Sequence, residues 1–150
     1  MYSAMPADKE IISHLNAVLK SKLTGINQYF LHARILKHAG DMQLADVEYK
    51  ASLGAMKHSD MLVEHILSLG GRPNLQELGR LSIGETADEM MQGDLALAET
   101  MVAQITSAIT VSERGKDIAT AALLAKILES QQERVSFLQS QITTHRKDCA

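Results

Sequence analysis

A chain of 150 residues fits a single domain with a real core, so neither disulfides nor a structural metal are needed for stability. A net charge of −3, spread along the sequence without a basic block, excludes nucleic acid as an expected partner. Two prolines, 3% aromatic residues and abundant Ala, Leu, Met, Glu, Lys and Gln weigh for helices and against strands.

Met1 to Asp8 lacks the basic start and apolar run of a secretory leader, and no apolar stretch approaches the ~20 residues that span a bilayer. The lone cysteine, Cys149, has no internal disulfide partner, which suits a reducing compartment. The expectation is a cytoplasmic protein with no membrane partner. The first predicted helix runs from about Asp8 to His38 and stops at Ala39-Gly40. Its stripe at 3–4 spacing reads Ile12, Leu15, Leu19, Lys22, Ile26, Tyr29, Ala33, Leu36, with a lysine standing in the middle. The second, about Met42 to Leu69, reads Ala51, Ala55, His58, Leu62, Ile66, Leu69, interrupted by the histidine. Gly70-Gly71-Arg72-Pro73 then opens a long connection that passes Ser82-Ile83-Gly84 and ends at Glu85. Thr86 begins the third helix, with Glu89 completing a Thr-x-x-Glu capping box. This helix extends to about Glu113 on an unbroken stripe of Met91, Leu95, Ala98, Val102, Ile105 and Ile109. Past Gly115 the fourth covers about Lys116 to Arg146 on Leu124, Ile127, Gln131, Arg134 and Leu138, with two polar residues together.

Short joints at Gly40 and Gly115 make the flanking helices antiparallel neighbours, and the long middle link signals a crossover between helices 2 and 3. The fold class is therefore all-α, a ferritin-like four-helix bundle, with residues 1–150 as one domain. Because every polar interruption lies near mid-helix, packing should bring Lys22, His58, Gln131 and Arg134 to one level, with Ala55 and Ala98 beside them as small gaps. Bundles build di-metal sites at such a level from glutamates and Glu-x-x-His pairs. Here the i, i+3 frames read Ala55-x-x-His58 and Gln131-x-x-Arg134. Ammonium and guanidinium groups are cationic and have no lone pair to offer a metal, so His58 is at most a weak remnant ligand. Two buried cations require carboxylates nearby, and Asp94 and Glu48 are the candidates.

The run Gly25-Ile26-Asn27-Gln28-Tyr29-Phe30-Leu31-His32-Ala33-Arg34 resembles the bacterioferritin family. So do Asp46-Val47-Glu48-Tyr49, Met56-Lys57-His58, Pro73-Asn74-Leu75-Gln76, Leu81-Ser82-Ile83-Gly84-Glu85 and Asp94-Leu95-Ala96-Leu97. The resemblance implies a hollow cubic shell of the twenty-four-subunit type that stores ferric mineral, with haem b held between two-fold-related subunits. It also implies glutamates at the di-iron positions occupied by Lys22, Ala55, Ala98 and Gln131, and histidines at those of His58 and Arg134. Only His58 matches, so the oxidising centre is expected to be degenerate. Glu99 is no substitute for Ala98, since one residue turns a helical side chain by about 100°. The family's inner-surface iron site would fall on Lys50 and Gly54 and is likewise expected to be absent.

For haem, the resemblance implies Met56 as the axial ligand from both subunits. A thioether is a known haem ligand, and an isologous interface presents one residue twice. Leu23, Ile26, Asn27 and Phe30 match pocket residues on the first helix. Tyr49, Leu53, Met56 and Val63, with Asp60, form a second stripe on the second helix that faces away from the core and needs cover. Met61, Met90, Met91 and Met101 are read as core or interface filler. Family members continue into a short fifth helix, expected to be missing here, and His145 and Cys149 are read as solvated tail residues. The expected function is a haem-binding shell subunit, inactive alone as a ferroxidase and assembled with a competent companion, with a reductase or ferredoxin as electron partner. A ferroxidase in its own right and a non-mineralising haem dimer are the alternatives.

Overall fold

The computed structural model describes residues 6–149, with side chains over 8–144, so the expectation for His145 and Cys149 lies outside the described side chains. Four helices account for nearly all of it: α1 (Pro6–His38), α2 (Met42–Ser68), α3 (Ala87–Arg114) and α4 (Ile118–Cys149). Their boundaries follow local chemistry. Asp41 caps α2 by accepting from the Leu44 amide at 3.1 Å, and Thr86 caps α3 by accepting from that of Glu89 at 3.2 Å. Glu89 reaches back past the cap residue to the Glu85 amide, 2.8 Å away. The fourth helix starts later than the sequence suggests, because Lys116 has a left-handed backbone with φ of 58° and belongs to the turn. Asp117 then binds the Thr120 amide at 3.0 Å and opens α4.

The direction of the crossover is set by a polar ladder on α1. Asn16 accepts from the Asn74 amide and donates to the Arg72 carbonyl. Further along the same helix, Thr24 accepts from the Gly79 amide at 2.7 Å, Gln28 from that of Ser82 at 2.9 Å, and His32 from that of Gly84 at 3.1 Å. Residues 16, 24, 28 and 32 recur at multiples of four and so share one helix face. The connecting chain thus runs alongside α1 from its N-terminal half to its C-terminal half, which delivers the start of α3 to the end where α2 begins. Two antiparallel pairs joined by one long link is the ferritin-like bundle that the joint lengths imply.

Apolar packing forms two clusters. One gathers Leu15, Leu19, Leu62, Ile66, Met101, Ile105, Leu124 and Ile127 among others, and the second gathers Leu36, Ala45, Met90, Met91, Ala98, Leu138 and Ile142. The stripe read for α3 needs correction. Its buried face is Met90, Met91, Asp94, Ala98, Met101, Ile105 and Ala108, while Leu95, Val102 and Ile109 are only half-buried. Asp94 is therefore a polar break that the apolar reading passed over. By length and composition α3 is apolar enough to cross a membrane, and about a third of that apolar stretch is buried within the bundle.

Candidate functional site

A layer of polar side chains separates the two apolar clusters, and every helix contributes. Lys22 and Gln131 are 3% and 4% exposed, and the Lys22 ammonium donates to Gln131 Oε1 at 2.6 Å. Arg134 lies beside them and donates through one terminal nitrogen to Glu48 Oε2 at 2.6 Å and to Asp94 Oδ2 at 3.1 Å. Its guanidinium carbon sits 4.8 Å from the centre of the Tyr29 ring. His58 is half-buried, and Ala55 and Ala98 are buried. Lys22, Ala55, His58, Gln131 and Arg134 line one pocket, as their mid-helix positions imply. The expectation that both cations meet carboxylates holds for Arg134 and fails for Lys22, whose partner is an amide oxygen. Glu99 is exposed. Lys50 is exposed and paired with Asp46 at 2.9 Å, one turn away on α2.

The sequence reading missed His32, which is completely buried. Its Nδ1 lies 3.1 Å from Asp94 Oδ1 and 3.4 Å from Glu48 Oε1, off-line for a hydrogen bond to either. Gln28 adds a bond from Nε2 to Asp94 Oδ1 at 2.9 Å. Each carboxylate thus turns one oxygen to Arg134 and the other toward His32. The available signal was the polar repeat 24, 28, 32 on α1, which an apolar-stripe reading ignores.

These contacts set the protonation pattern. Burial, and then Arg134, pull Lys22 down to about 8. Burial, with the Lys22 and Lys57 charges, pulls His58 down to about 4 and keeps it neutral. Glu48 is pushed up to about 7 by burial and by Asp94, against the lowering pull of His32 and Arg134. Asp94 is held below its ordinary value: burial opposes ionisation, but its contacts with His32, Glu48, Arg134 and Gln28 outweigh it. Burial also raises Tyr29. Burial disfavours a charged His32, yet the two carboxylates lift it to about 9. The Gly84 N–H at Nε2 pulls the other way, since a second ring proton would set two donors face to face. A neutral ring with its proton on Nδ1 fits all its neighbours.

His32, Glu48 and Asp94 bring one ligand atom each within 4.8 Å of one another, a spacing that suits a metal ion. Two features weigh against a metal at this point. Arg134 already supplies the positive charge between the carboxylates. The Gly84 amide occupies the Nε2 lone pair, so the ring proton falls on the nitrogen a metal would need.

On the outer face of α1 and α2, Met56 is 57% exposed, Leu53 54%, Phe30 42% and Tyr49 39%. Asn27 and Asp60 are also exposed, whereas Leu23, Ile26 and Val63 are half-buried at the margin of the core. The Phe30 and Tyr49 rings meet edge to face at 6.4 Å, and Arg34 stacks over both at 5.2 and 5.3 Å. Among these residues, ring contacts join Phe30, Tyr49 and Arg34.

Four long helices, a crossover laid along α1 and a polar layer at mid-bundle define a ferritin-like protein, and the Ferritin-like domain family matches residues 12–147. Similar proteins narrow the class. The bacterioferritin of Mycobacterium leprae is 33% identical over 138 residues, covering 92% of this chain and 87% of that one. Bacterioferritin BfrA of Mycobacterium tuberculosis is 34% identical with the same coverage. The bacterioferritin of Rhodobacter capsulatus is 33% identical over 141 residues, 94% of this chain and 88% of that one. The chain belongs to the bacterioferritin family of iron-storage proteins.

Proposed function

We propose that this chain is a haem-bearing subunit of an iron-storing shell which does not itself oxidise iron, and which co-assembles in the cytoplasm with a bacterioferritin-like subunit that does. The observation that carries this reading is the use made of Arg134. At a position where the family resemblance calls for a neutral metal-binding histidine, a guanidinium neutralises Glu48 and Asp94 from 2.6 and 3.1 Å. Lys22, Ala55, Ala98 and Gln131 stand where the family resemblance calls for glutamates, so the pocket lining offers hard iron ions no anionic oxygen. His58 alone remains as a nitrogen donor. A pair of ferrous ions in this pocket would meet the Lys22 ammonium and a guanidinium already committed to Glu48 and Asp94.

Haem fits the outer face. Met56 presents an exposed thioether among Leu53, Phe30 and Tyr49, with Leu23, Ile26 and Asn27 beside them, and a two-fold copy would supply the second thioether. The cofactor when bound supplies one-electron storage and transfer, and a reductase or ferredoxin is the matching electron partner. This chain's part is to hold the ring between apolar side chains and exclude water from it.

The test is stopped-flow oxidation of Fe(II) by the purified, iron-free protein, alone and as mixed shells formed with a carboxylate-bearing bacterioferritin subunit. The expected result is a rate near that of buffer for this chain alone and faster mineralisation by the mixed shells. Catalytic oxidation by the chain alone, or equal rates for both assemblies, would overturn the proposal.

A further inference from the structure

The mid-bundle pocket has a volume of about 190 Å³, small for an organic ligand and room for a few waters at about 30 Å³ each. Its lining contains Lys22, Lys50 and Arg134 and, among the described residues, no carboxylate. Two of these charges are answered elsewhere: Lys50 by Asp46, and Arg134 by Glu48 and Asp94. Lys22 is not. It is 97% buried, with the neutral oxygen of Gln131 as its hydrogen-bond acceptor.

The neighbouring hydrogen-bonding groups are unbalanced in the same sense. Gln131 turns its oxygen to Lys22, which leaves the Nε2 donor buried and without a partner. Arg134 uses a terminal nitrogen on the carboxylates, which leaves its Nε–H buried and without a partner. His58 Nδ1 is also buried and unpartnered, and its neutral ring donates from that atom in one of its two tautomers. The pocket thus gathers three unpartnered nitrogens and one uncompensated positive charge, beside the hydroxyl residues Tyr29 and Ser130, around the space left by Ala55 and Gly54. Buried donors without acceptors are costly, and water can accept from such donors but brings no charge to answer Lys22. A compact anion with several acceptor oxygens balances both, through charge-assisted hydrogen bonds.

We propose that this pocket is an oxyanion site that binds inorganic phosphate, with Lys22 as the charge partner and Gln131 Nε2, Arg134 Nε and His58 as hydrogen-bond donors. The proposal rests on the reading that no iron pair occupies the same level.

The experiment is calorimetric titration of the iron-free assembled protein with inorganic phosphate in a phosphate-free zwitterionic buffer, with phosphorus NMR line width as the second readout. Saturable uptake of one phosphate per subunit is expected. Lys22→Met should weaken it at least tenfold and Gln131→Leu severalfold, while Lys126→Met, on the exposed side of α4, leaves it unchanged. The Gln131 variant retains the charge and keeps the test open if Lys22→Met fails to fold. No saturable uptake by the unmodified protein, equal affinity in Lys22→Met, or displacement of phosphate by an equal concentration of chloride would overturn the proposal. If ferrous ions fill the pocket in a parallel titration, the non-oxidising reading falls with it. If neither ion binds, only the phosphate site is lost.

Discussion

Arg134 is the natural place to perturb this protein. Arg134→Met keeps most of the side-chain volume but removes the charge that Glu48 and Asp94 share, leaving two fully buried carboxylates side by side with His32. Breaking a buried pair by deleting one member costs about 3–5 kcal/mol. For a chain of this size each kcal/mol moves the melting temperature by about 2–4 °C, so a fall of roughly 10 °C is expected at pH 7.5. The effect must depend on pH with a definite sign. Glu48 already titrates near 7 in the folded protein, above the ~4.3 of an unfolded glutamate, so the folded state keeps this proton more firmly. Its contribution to stability is complete below the unfolded value and is lost as pH rises through about 7. Removing the guanidinium raises Glu48 further, so the variant's deficit should grow with pH and shrink to less than half at pH 5.5. Thermal melts followed by circular dichroism at both pH values, at matched protein concentration, read this directly. The double variant with Glu48→Gln should recover most of the loss, because it removes one of the two charges. A melting temperature unchanged within about 2 °C at pH 7.5, or a deficit equal at both pH values, would refute the reasoning.

Lys22 carries the opposite sign. Its folded value of about 8 lies below the ~10.4 of a free lysine, so stability should rise as pH climbs from 8 toward 10. For the same reason Lys22→Met should stabilise the protein at pH 7 by about 1–3 kcal/mol in phosphate-free buffer, as measured by urea denaturation, and a loss of stability would contradict the desolvation argument. Gly84→Ala should destabilise by about 1–3 kcal/mol, because a methyl group there meets the backbone of Glu89 and Met90 while the Gly84 amide holds His32. Urea midpoints for this variant and for His32→Gln would show whether the two changes act on one contact, since coupled positions give non-additive losses. Met56→Ala should leave the melting temperature of the iron-free protein within about 2 °C while abolishing the haem absorbance of reconstituted protein. Retention of the haem spectrum would remove Met56 from the axial position.

Much of the architecture was legible in the residues. The Thr86 cap acts on an amide three positions away, so this helix start is a local event that the Thr-x-x-Glu spacing reveals, and Asp41 does the same for α2. Lys22, His58, Gln131 and Arg134 each interrupt an apolar stripe, and their shared mid-helix position is enough to place them on one level. His32 was illegible for the converse reason: its partners come from α2, α3 and the crossover, and none is close to it in the chain. Asp94 and Glu48 were legible as carboxylates that a buried cation would require, although the apolar stripe read for α3 left Asp94 off its buried face. The partner of Lys22 was misjudged. A nearby carboxylate was the economical assumption, and the packed bundle gives both acids to Arg134 instead.

By itself, then, the order of amino acids determined four helices, their joints, the crossover and the chemical character of the central level, because periodicity, capping and charge act over a few residues at a time. Tertiary packing alone decided which cation takes the carboxylates, which ring proton His32 keeps and which donors remain unanswered around the pocket. Those outcomes turn on ångström separations between distant segments, and such separations exist only once the helices have docked.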